Sequence, residues 1–244
     1  QGLDEYILNK LDLKNQKKSE YKWSKMVERF KKAKEELNIA LVGKYVSLHD
    51  AYLSVTQALF DAGYENGYKV KIKWIDSEDV EKDTSILQGV NGIIVPGGFG
   101  QRGTEGMILT SKFARENKIP YFGICYGLQI ALIDIARNKL GLKGASSTEI
   151  NPETPYPIID LLENQKSVEN IGGTLRLGNF PCSLEENTLA RKLYGKEKIE
   201  ERHRHRYEFN NDFRGLVRKA GVEFSGINED LDLVEIIECK DHPF

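Results

Sequence analysis

The chain has 244 residues, of which 40% are hydrophobic and 30% charged, with 35 Lys plus Arg against 37 Asp plus Glu and a formal net charge of −2. That composition belongs to a soluble globular protein of one large domain, or one domain with an appendage, and a chain of this size buries roughly 70–75% of its unfolded surface. The balanced charge excludes a general attraction to nucleic acid or acidic lipid, and no apolar run reaches the roughly 18–20 residues of a membrane span. The first residues carry no signal-peptide pattern, and Cys125, Cys182 and Cys239 are too few and too odd for a disulfide framework, so the expected setting is the reduced cytoplasm.

In chain order, residues 1–11 (QGLDEYILNKL) read as the tail of a helix. A second helix is expected from about Ser19 to Leu37, because Tyr21, Trp23, Met26, Val27, Phe30, Ala33 and Leu37 recur at three- and four-residue steps. Residues 1–37 therefore read as a linker with an amphipathic helix, its charge run near Lys31–Glu36 forming the solvated face. From Asn38 the texture changes to apolar strands alternating with helices. Asn38–Tyr45 is a short strand, His49–Ala62 a helix, Tyr68–Asp76 an alternating strand, and Val90–Gly98 a buried strand running into glycines. Thr104–Asn117 is a helix, Ile119–Cys125 a strand, and Tyr126–Gly141 a helix with Leu128, Ala131, Leu132 and Ile135 on one apolar stripe. This rhythm predicts an α/β domain of three layers around a central, mostly parallel sheet, with any ligand beyond the carboxyl ends of the strands. After residue 150 the segments YPIIDLL, GGTLRLGNF, RHRHRYEFN, VEFSGI and DLVEIIEC predict antiparallel additions to the same domain.

Two segments carry chemistry. Gly98-Phe99-Gly100-Gln101-Arg102-Gly103 fits G-x-G-x-x-G between a strand and a helix. Taken alone it suggests a dinucleotide site, but Pro96 and its place in a central strand unit weaken that reading. A tight turn with unusual backbone angles is the plain alternative. The third reading is an anion or oxyanion cradle of backbone N–H groups at Gly97–Gly98, which the absence of a Cβ leaves open to substrate.

Gly123-Ile124-Cys125-Tyr126-Gly127 ends an apolar strand and opens a helix, the G-x-nucleophile-x-G pattern with sulfur in place of the serine hydroxyl. The flanking glycines allow a sharp turn that projects Cys125. The helix N-terminus is expected to stabilise a thiolate and lower its pKa. Cys182 and Cys239 read as inert. A cysteine nucleophile needs a proton-transfer partner, and His49, His203, His205 and His242 offer no convincing one. In Arg202-His203-Arg204-His205-Arg206-Tyr207-Glu208 the interleaved arginines are expected to depress imidazole basicity, so the strip reads as binding surface rather than base.

PGGFGQRGTEGMI, PYFGICYGLQIALIDIARN, GGTLRLG and ERHRHRYEFNN, in this order, resemble the class I glutamine amidotransferases, in the form of the glutaminase domain of the CTP synthase family. The resemblance covers about Asn38 to Phe244, and residues 1–37 are similar to the connection from that family's synthase domain. It implies that Cys125 attacks the glutamine amide and that Gly98 and Tyr126 N–H groups form the oxyanion hole. It also implies that Gly98, Tyr126, Gly127, Leu128, Gln129, Glu149 and Arg206 bind glutamine, with Glu149 suited to an α-ammonium. Arg102 and Glu105 fall on the loop through which GTP acts as an allosteric activator. No metal or cofactor is implied for this domain; ATP and Mg belong to the synthase domain, which aminates UTP with the ammonia released. The partners implied are glutamine and that synthase domain, with a homotetrameric full-length enzyme, a monomeric isolated domain, and neither nucleic acid nor membrane. The family's next motif, His-Pro-Glu with the base and its orienting carboxylate, lies beyond Phe244, so these residues alone are expected to turn over glutamine poorly. The alternatives are a class I amidotransferase serving another acceptor, or a non-catalytic nucleotide-binding module built on the 98–103 loop.

Overall fold

The computed structural model describes residues 2–13, 23–162, 175–240 and 242–243. Four parallel strands form the central sheet: β1 (Glu35–Gly43), β2 (Tyr68–Asp76), β3 (Gly92–Val95) and β4 (Tyr121–Gly123), in the order β2-β1-β3-β4. Their alternation divides the core in two, because successive side chains of a strand face opposite sides. Ala40, Val42, Ile93 and Val95 enter the main core, whereas Leu41 and Ile94 enter a smaller one with Val46 and Tyr52. The helix α3 (Leu53–Glu65) covers the smaller core with Val55 and Leu59. Helices α5 (Thr104–Glu116) and α6 (Tyr126–Asp134) cover the main one with Met107, Ile108, Ile130 and Leu132. These are the three layers expected.

The additions after residue 150 form two further sheets. One is antiparallel, ordered β11-β10-β7-β8, from β7 (Arg176–Leu184), β8 (Lys198–His205), β10 (Val222–Asn228) and β11 (Leu233–Cys239). The other is ordered β5-β6-β9, from β5 (Ser146–Ser147), β6 (Pro157–Leu161) and β9 (Tyr207–Phe209). Two short helices between these strands, Leu189–Tyr194 and Arg214–Lys219, were not expected from the strand-rich pattern. Each is only six residues long, too short for a periodicity argument.

Three expectations need correction. The arm helix runs over Trp23–Lys32, not to Leu37, because β1 begins at Glu35 and pairs with β2 from Glu35↔Tyr68 onward. Sheet pairing outweighs a helical pattern of weak local preference; the expected start near Ser19 lies outside the described residues. The helix still docks, through Phe30 edge-on to Tyr64 at 4.6 Å and an ion pair of Arg29 with Glu65. The helix after Cys125 is not amphipathic: Ile130, Ala131, Leu132, Ile133 and Ala136 are all buried, so it is enclosed on every side rather than along one stripe. It also widens into a π-helical turn at Ile135–Lys139 before Gly141 ends it at φ 71°. Finally, RHRHRYEFN is not one strand, for β8 ends at His205 and β9 begins at Tyr207 in a different sheet.

Glycine is required where the helix meets the sheet. A methyl on Gly127 would lie 2.1 Å from the Val95 carbonyl oxygen, and one on Gly123 2.4 Å from the Gly127 backbone. Neither contact is relieved by a side-chain rotation. Gly127→Ala is therefore expected to lower stability by about 2 kcal/mol or more, read from chemical denaturation. Gly215→Ala, on a helix with open space around it, is expected to be neutral or stabilising by up to about 1 kcal/mol. Equal effects at the two positions would refute the packing argument.

Candidate active site

Cys125 sits at the N-cap of α6 with φ 54° and ψ −102°, a conformation L-residues avoid. It is held there from both sides. The Ile124 N–H donates to Val95 O at 2.9 Å and the Gly127 N–H to Ile124 O at 2.9 Å, while Leu128 and Gln129 N–H groups donate to Cys125 O at 3.1 and 3.2 Å. Such strain costs on the order of 1–3 kcal/mol and persists only where the surroundings over-determine it. The sharp strand-to-helix turn expected at Cys125 is present.

The thiol's electrostatics run opposite to expectation. Burial pushes the Cys125 thiol up, Glu208 and Glu149 add to the rise, and the Tyr126 N–H lowers it by a smaller amount. The helix terminus does supply the N–H, but its effect is smaller than that of burial. The surroundings thus hold the proton on Cys125 more firmly than an exposed cysteine would.

The glycine loop lies against the elbow. A methyl on Gly97 would sit 3.8 Å from the Cys125 β-carbon, and one on Gly98 3.6 Å from the Tyr126 ring. Gly100 takes φ 74°, and its peptide is pinned on both faces. Its N–H donates to Glu149 Oε1 at 2.9 Å, and its carbonyl accepts from Lys44 Nζ, from Tyr126 Oη at 3.0 Å and from Thr104 Oγ1 at 3.2 Å. Lys44 also donates to Phe99 O at 2.8 Å and lies 4.5 Å from the Tyr126 ring centre. Burial lowers its pKa to about 8 despite the neighbouring Glu149. Sequence reasoning gave Lys44 no role, although its place just after the first parallel strand was a signal for a residue at the sheet's carboxyl edge.

The same loop does not suit a pyrophosphate. Gly103 and Gly106 are needed for packing, since methyls there would meet Ser77 Oγ at 2.1 Å and Ser77 O at 1.8 Å. The first turn of α5 is already capped by a carboxylate, Glu81 Oε1 accepting from the Gly106 N–H at 3.1 Å. Arg102, the nearest cation in the motif, is committed to Glu78 at 2.9 Å and to Lys44 O, and Glu105 to Arg137 at 2.8 Å. Arg102 and Glu105 are thus each held by a partner of opposite charge.

Gln129, one turn beyond Cys125, donates through Nε2 to Tyr207 O at 2.9 Å and so ties the elbow to the start of β9. Arg206 is the one residue between β8 and β9, half-buried at this crossing, and Leu128 is half-buried against the main core. Cys125, Gly98, Tyr126, Gln129, Glu149 and the 206–208 segment are thereby gathered at the carboxyl end of β3 and β4.

His203 and His205 do not face the thiol as bases. Their rings touch at 2.8 Å, His203 Nε2 lies 3.1 Å from Glu235, and His205 Nδ1 lies 3.3 Å from Glu208. Arg176 joins both carboxylates, with Glu208 at 3.4 Å and in closer contact with Glu235, and its guanidinium stacks 4.3 Å from the Phe180 ring centre. The His203 pKa is lowered to about 4 and that of His205 is also lowered. Burial is the leading cause, followed for His203 by Arg176; the interleaved Arg202 and Arg204 are exposed and not responsible. His49 stacks on Trp74 at 4.0 Å, and His242 Nε2 lies 3.1 Å from Ala114 O. Cys182 is buried with its thiol pushed up to about 12, as an inert cysteine would be. Among the described residues no cluster of three metal-ligating side chains occurs, and no helix is long and apolar enough to cross a membrane.

The class I glutamine amidotransferase family model matches residues 47–244. The chain belongs to the class I glutamine amidotransferases. It is 55% identical to the CTP synthase of Halalkalibacterium halodurans and 52% identical to that of Clostridium kluyveri, over 246 aligned positions that cover 100% of this chain and 46% of each relative. The CTP synthase of Thermococcus gammatolerans is 50% identical over the same span. The chain thus spans just under half the length of these curated relatives, matching their C-terminal part. Among solved structures, the glutaminase domain of Trypanosoma brucei CTP synthase with bound acivicin aligns at TM-score 0.79 and 33% identity, covering 85% of this chain and 83% of that one. Fold and family are as the sequence motifs implied.

The buried carboxyl beside the thiol has a measurable signature. Burial pushes Glu208 up to about 8, with Arg176 pulling it down and Glu235 pushing it further up. A carboxyl whose folded pKa is raised contributes stability that is complete below its unfolded value and lost as pH rises through about 8. His203 and His205, whose folded values are lowered, act oppositely, but only below about 6.5, the unfolded value. Between pH 6.5 and 8 the parent is therefore expected to lose stability relative to Glu208→Gln, by up to about 1.4 kcal/mol per pH unit. Denaturation midpoints of the two proteins across that window check it; a constant difference would refute a raised Glu208.

Proposed function

We propose that this chain is the glutamine-hydrolysing part of a CTP synthase, with Cys125 as the nucleophile. The observation that supports it best is the strained Cys125 turn facing the Gly97–Gly98 loop, with Glu149 at the rim. The thiol sulfur adds to the glutamine carboxamide carbon, and the negative charge that develops on oxygen is received by N–H groups of Gly98 and Tyr126. Collapse breaks the C–N bond, ammonia departs with the proton it receives, and a glutamyl thioester remains for water to cleave to glutamate. Glu149 and Arg206 hold the substrate's α-ammonium and α-carboxylate, and Gln129 lines the same pocket. A base must take the thiol proton and pass it to the departing ammonia; the described histidines are engaged elsewhere, His49 with Trp74, His203 with Glu235, His205 with Glu208 and His242 with Ala114 O.

For the whole protein we propose the reaction of its relatives. The ammonia passes to a synthase domain that uses ATP and Mg to aminate UTP to CTP, in a cytoplasmic homotetramer activated by GTP through the loop of Arg102 and Glu105. A pure nucleotide-binding module is disfavoured by the carboxylate that already caps α5.

The test is ammonia release from glutamine by the full polypeptide. Cys125→Ala abolishes release, and acivicin blocks it while protecting Cys125 from alkylation. Release that survives Cys125→Ala would overturn the assignment. Because Glu149 also accepts the Gly100 N–H, its two substitutions separate two duties. Glu149→Gln keeps an acceptor but loses the charge, so KM for glutamine rises roughly 10–100-fold with a smaller change in kcat. Glu149→Ala loses both, so kcat falls as well. Identical kinetics for the two variants would remove the loop from Glu149's role.

A further inference from the structure

We propose that the Tyr126 hydroxyl is a positioning group that locks the glycine loop to the nucleophile elbow, fixing the two oxyanion donors relative to each other. The inference deepens the glutaminase reading and rests on it. Tyr126 directly follows the nucleophile, and its side chain is only 1% exposed. Its main-chain N–H lies against the Cys125 sulfur. Its ring is the floor beneath Gly98, at 3.6 Å from where a methyl on that glycine would be. Its hydroxyl lies 2.7 Å from Thr104 Oγ1 and donates to Gly100 O at 3.0 Å, while Thr104 Oγ1 is 3.2 Å from the same carbonyl. Two hydroxyl protons thus serve three contacts: the Tyr126 proton goes to the Gly100 carbonyl, and the Thr104 proton is shared between that carbonyl and the Tyr126 oxygen.

One residue therefore carries one donor on its main chain and holds, with its side chain, the loop that carries the other. A hydroxyl enclosed this way stays neutral, since burial pushes its pKa up to about 12, and it remains a donor throughout the working range. Phenylalanine would fill the same space and keep the floor under Gly98. Only the link between elbow and loop would be lost, and the loop would keep Lys44 and Glu149 as its other anchors. Loss of a whole oxyanion donor costs about 10²–10³ in kcat. A loosened donor on a loop still held at two points is expected to cost less, roughly tenfold.

The experiment compares two reactions at the same sulfur in the full polypeptide. Glutamine hydrolysis develops an oxyanion. Alkylation by iodoacetamide does not: sulfur forms a bond to a saturated carbon, iodide leaves, and the thiol proton passes to solvent. For Tyr126→Phe we expect kcat for ammonia release to fall about tenfold, with KM for glutamine and the iodoacetamide rate each within twofold of the parent. Thr104→Val is expected to move kcat in the same direction, and Thr104→Ser, which keeps the hydroxyl, to restore it. An unchanged kcat in Tyr126→Phe overturns the proposal. So does a parallel fall in the iodoacetamide rate, which would mean that the elbow itself had shifted. A parent polypeptide that releases no ammonia and is not blocked by acivicin overturns the glutaminase reading, and this proposal with it.

Discussion

The site depends on main chain packed directly on main chain where α6 leaves the sheet. Gly127 lies so close to Val95, and Gly123 so close to the Gly127 backbone, that no β-carbon fits at either position. That closeness forces the turn at Cys125 into its strained angles, and the strain is held by hydrogen bonds to both neighbours in the fold. A second brace comes from below: the Tyr121 hydroxyl, fully buried, donates to Gly127 O at 2.8 Å. Tyr121 leads on to Ser111, which donates to Asp134 at 3.1 Å, and Arg115 grips the same carboxylate through two nitrogens at 3.0 and 3.1 Å. A polar chain thus runs from the surface to the first turn of α6. It explains how a helix enclosed in apolar residues still carries a charged residue, Asp134, at 0% exposure: every contact of that carboxylate is with a donor.

Charge around the thiol follows from the same burial. A helix N-terminus is worth about 0.3–1 kcal/mol to an anion at an exposed site, and here it competes with desolvation and two nearby carboxylates. Desolvation wins, so the thiol stays protonated until something takes its proton. A protonated thiol is also less prone to oxidation, since oxidation follows thiolate character. Lys44 is the one cation among the described residues shown bonded to the loop, and it is spent on two carbonyls rather than offered to substrate. In the proposed reaction that leaves Glu149 for the ammonium of the amino acid and main-chain N–H groups for the negative charge of the tetrahedral intermediate.

The parallel part of the fold was legible because burial on both faces leaves unbroken apolar runs. Tyr68–Asp76 was read to the residue, and IIV and YFG were placed in strands. The elbow was legible because glycine at both flanks of a cysteine has few other uses. What failed was where long-range pairing overrides a local pattern: Glu35–Leu37 has helical spacing but joins β2. The direction of the thiol's shift was not legible either, because a motif shows a helix terminus but not the depth of burial around it. Glu208 was quoted only as the end of a strip, since its neighbours Arg176 and Glu235 are 32 and 27 positions away and nothing local marks them. Lys44 was missed for the same reason: its partners are 55 and 56 residues downstream.

The buried cluster around Arg176 shows what holds the substrate side together. His205 lies on β8 and Glu208 on β9, in two different sheets, and Arg206 is the crossing between them. Arg176, from β7, reaches Glu208 across that gap and Glu235 on β11, so a single guanidinium bridges both sheets. Below, Gln129 fastens the Tyr207 carbonyl to the elbow helix. Buried ion pairs are poor sources of net stability, because desolvation offsets their attraction. Their geometric effect is another matter. Arg176 reaches the Glu208 carboxyl oxygen whether or not that carboxyl is ionised, so the two sheets are held to one relative position rather than a range of them. That position joins the β8–β9 crossing to α6 through Gln129, and the same bridge that fixes it leaves a carboxyl, Glu208, close enough to raise the pKa of the Cys125 thiol. Rigidity around Arg206 is thus coupled to a less acidic Cys125 thiol, and in the proposed reaction the demand for a strong base follows from how this pocket is held.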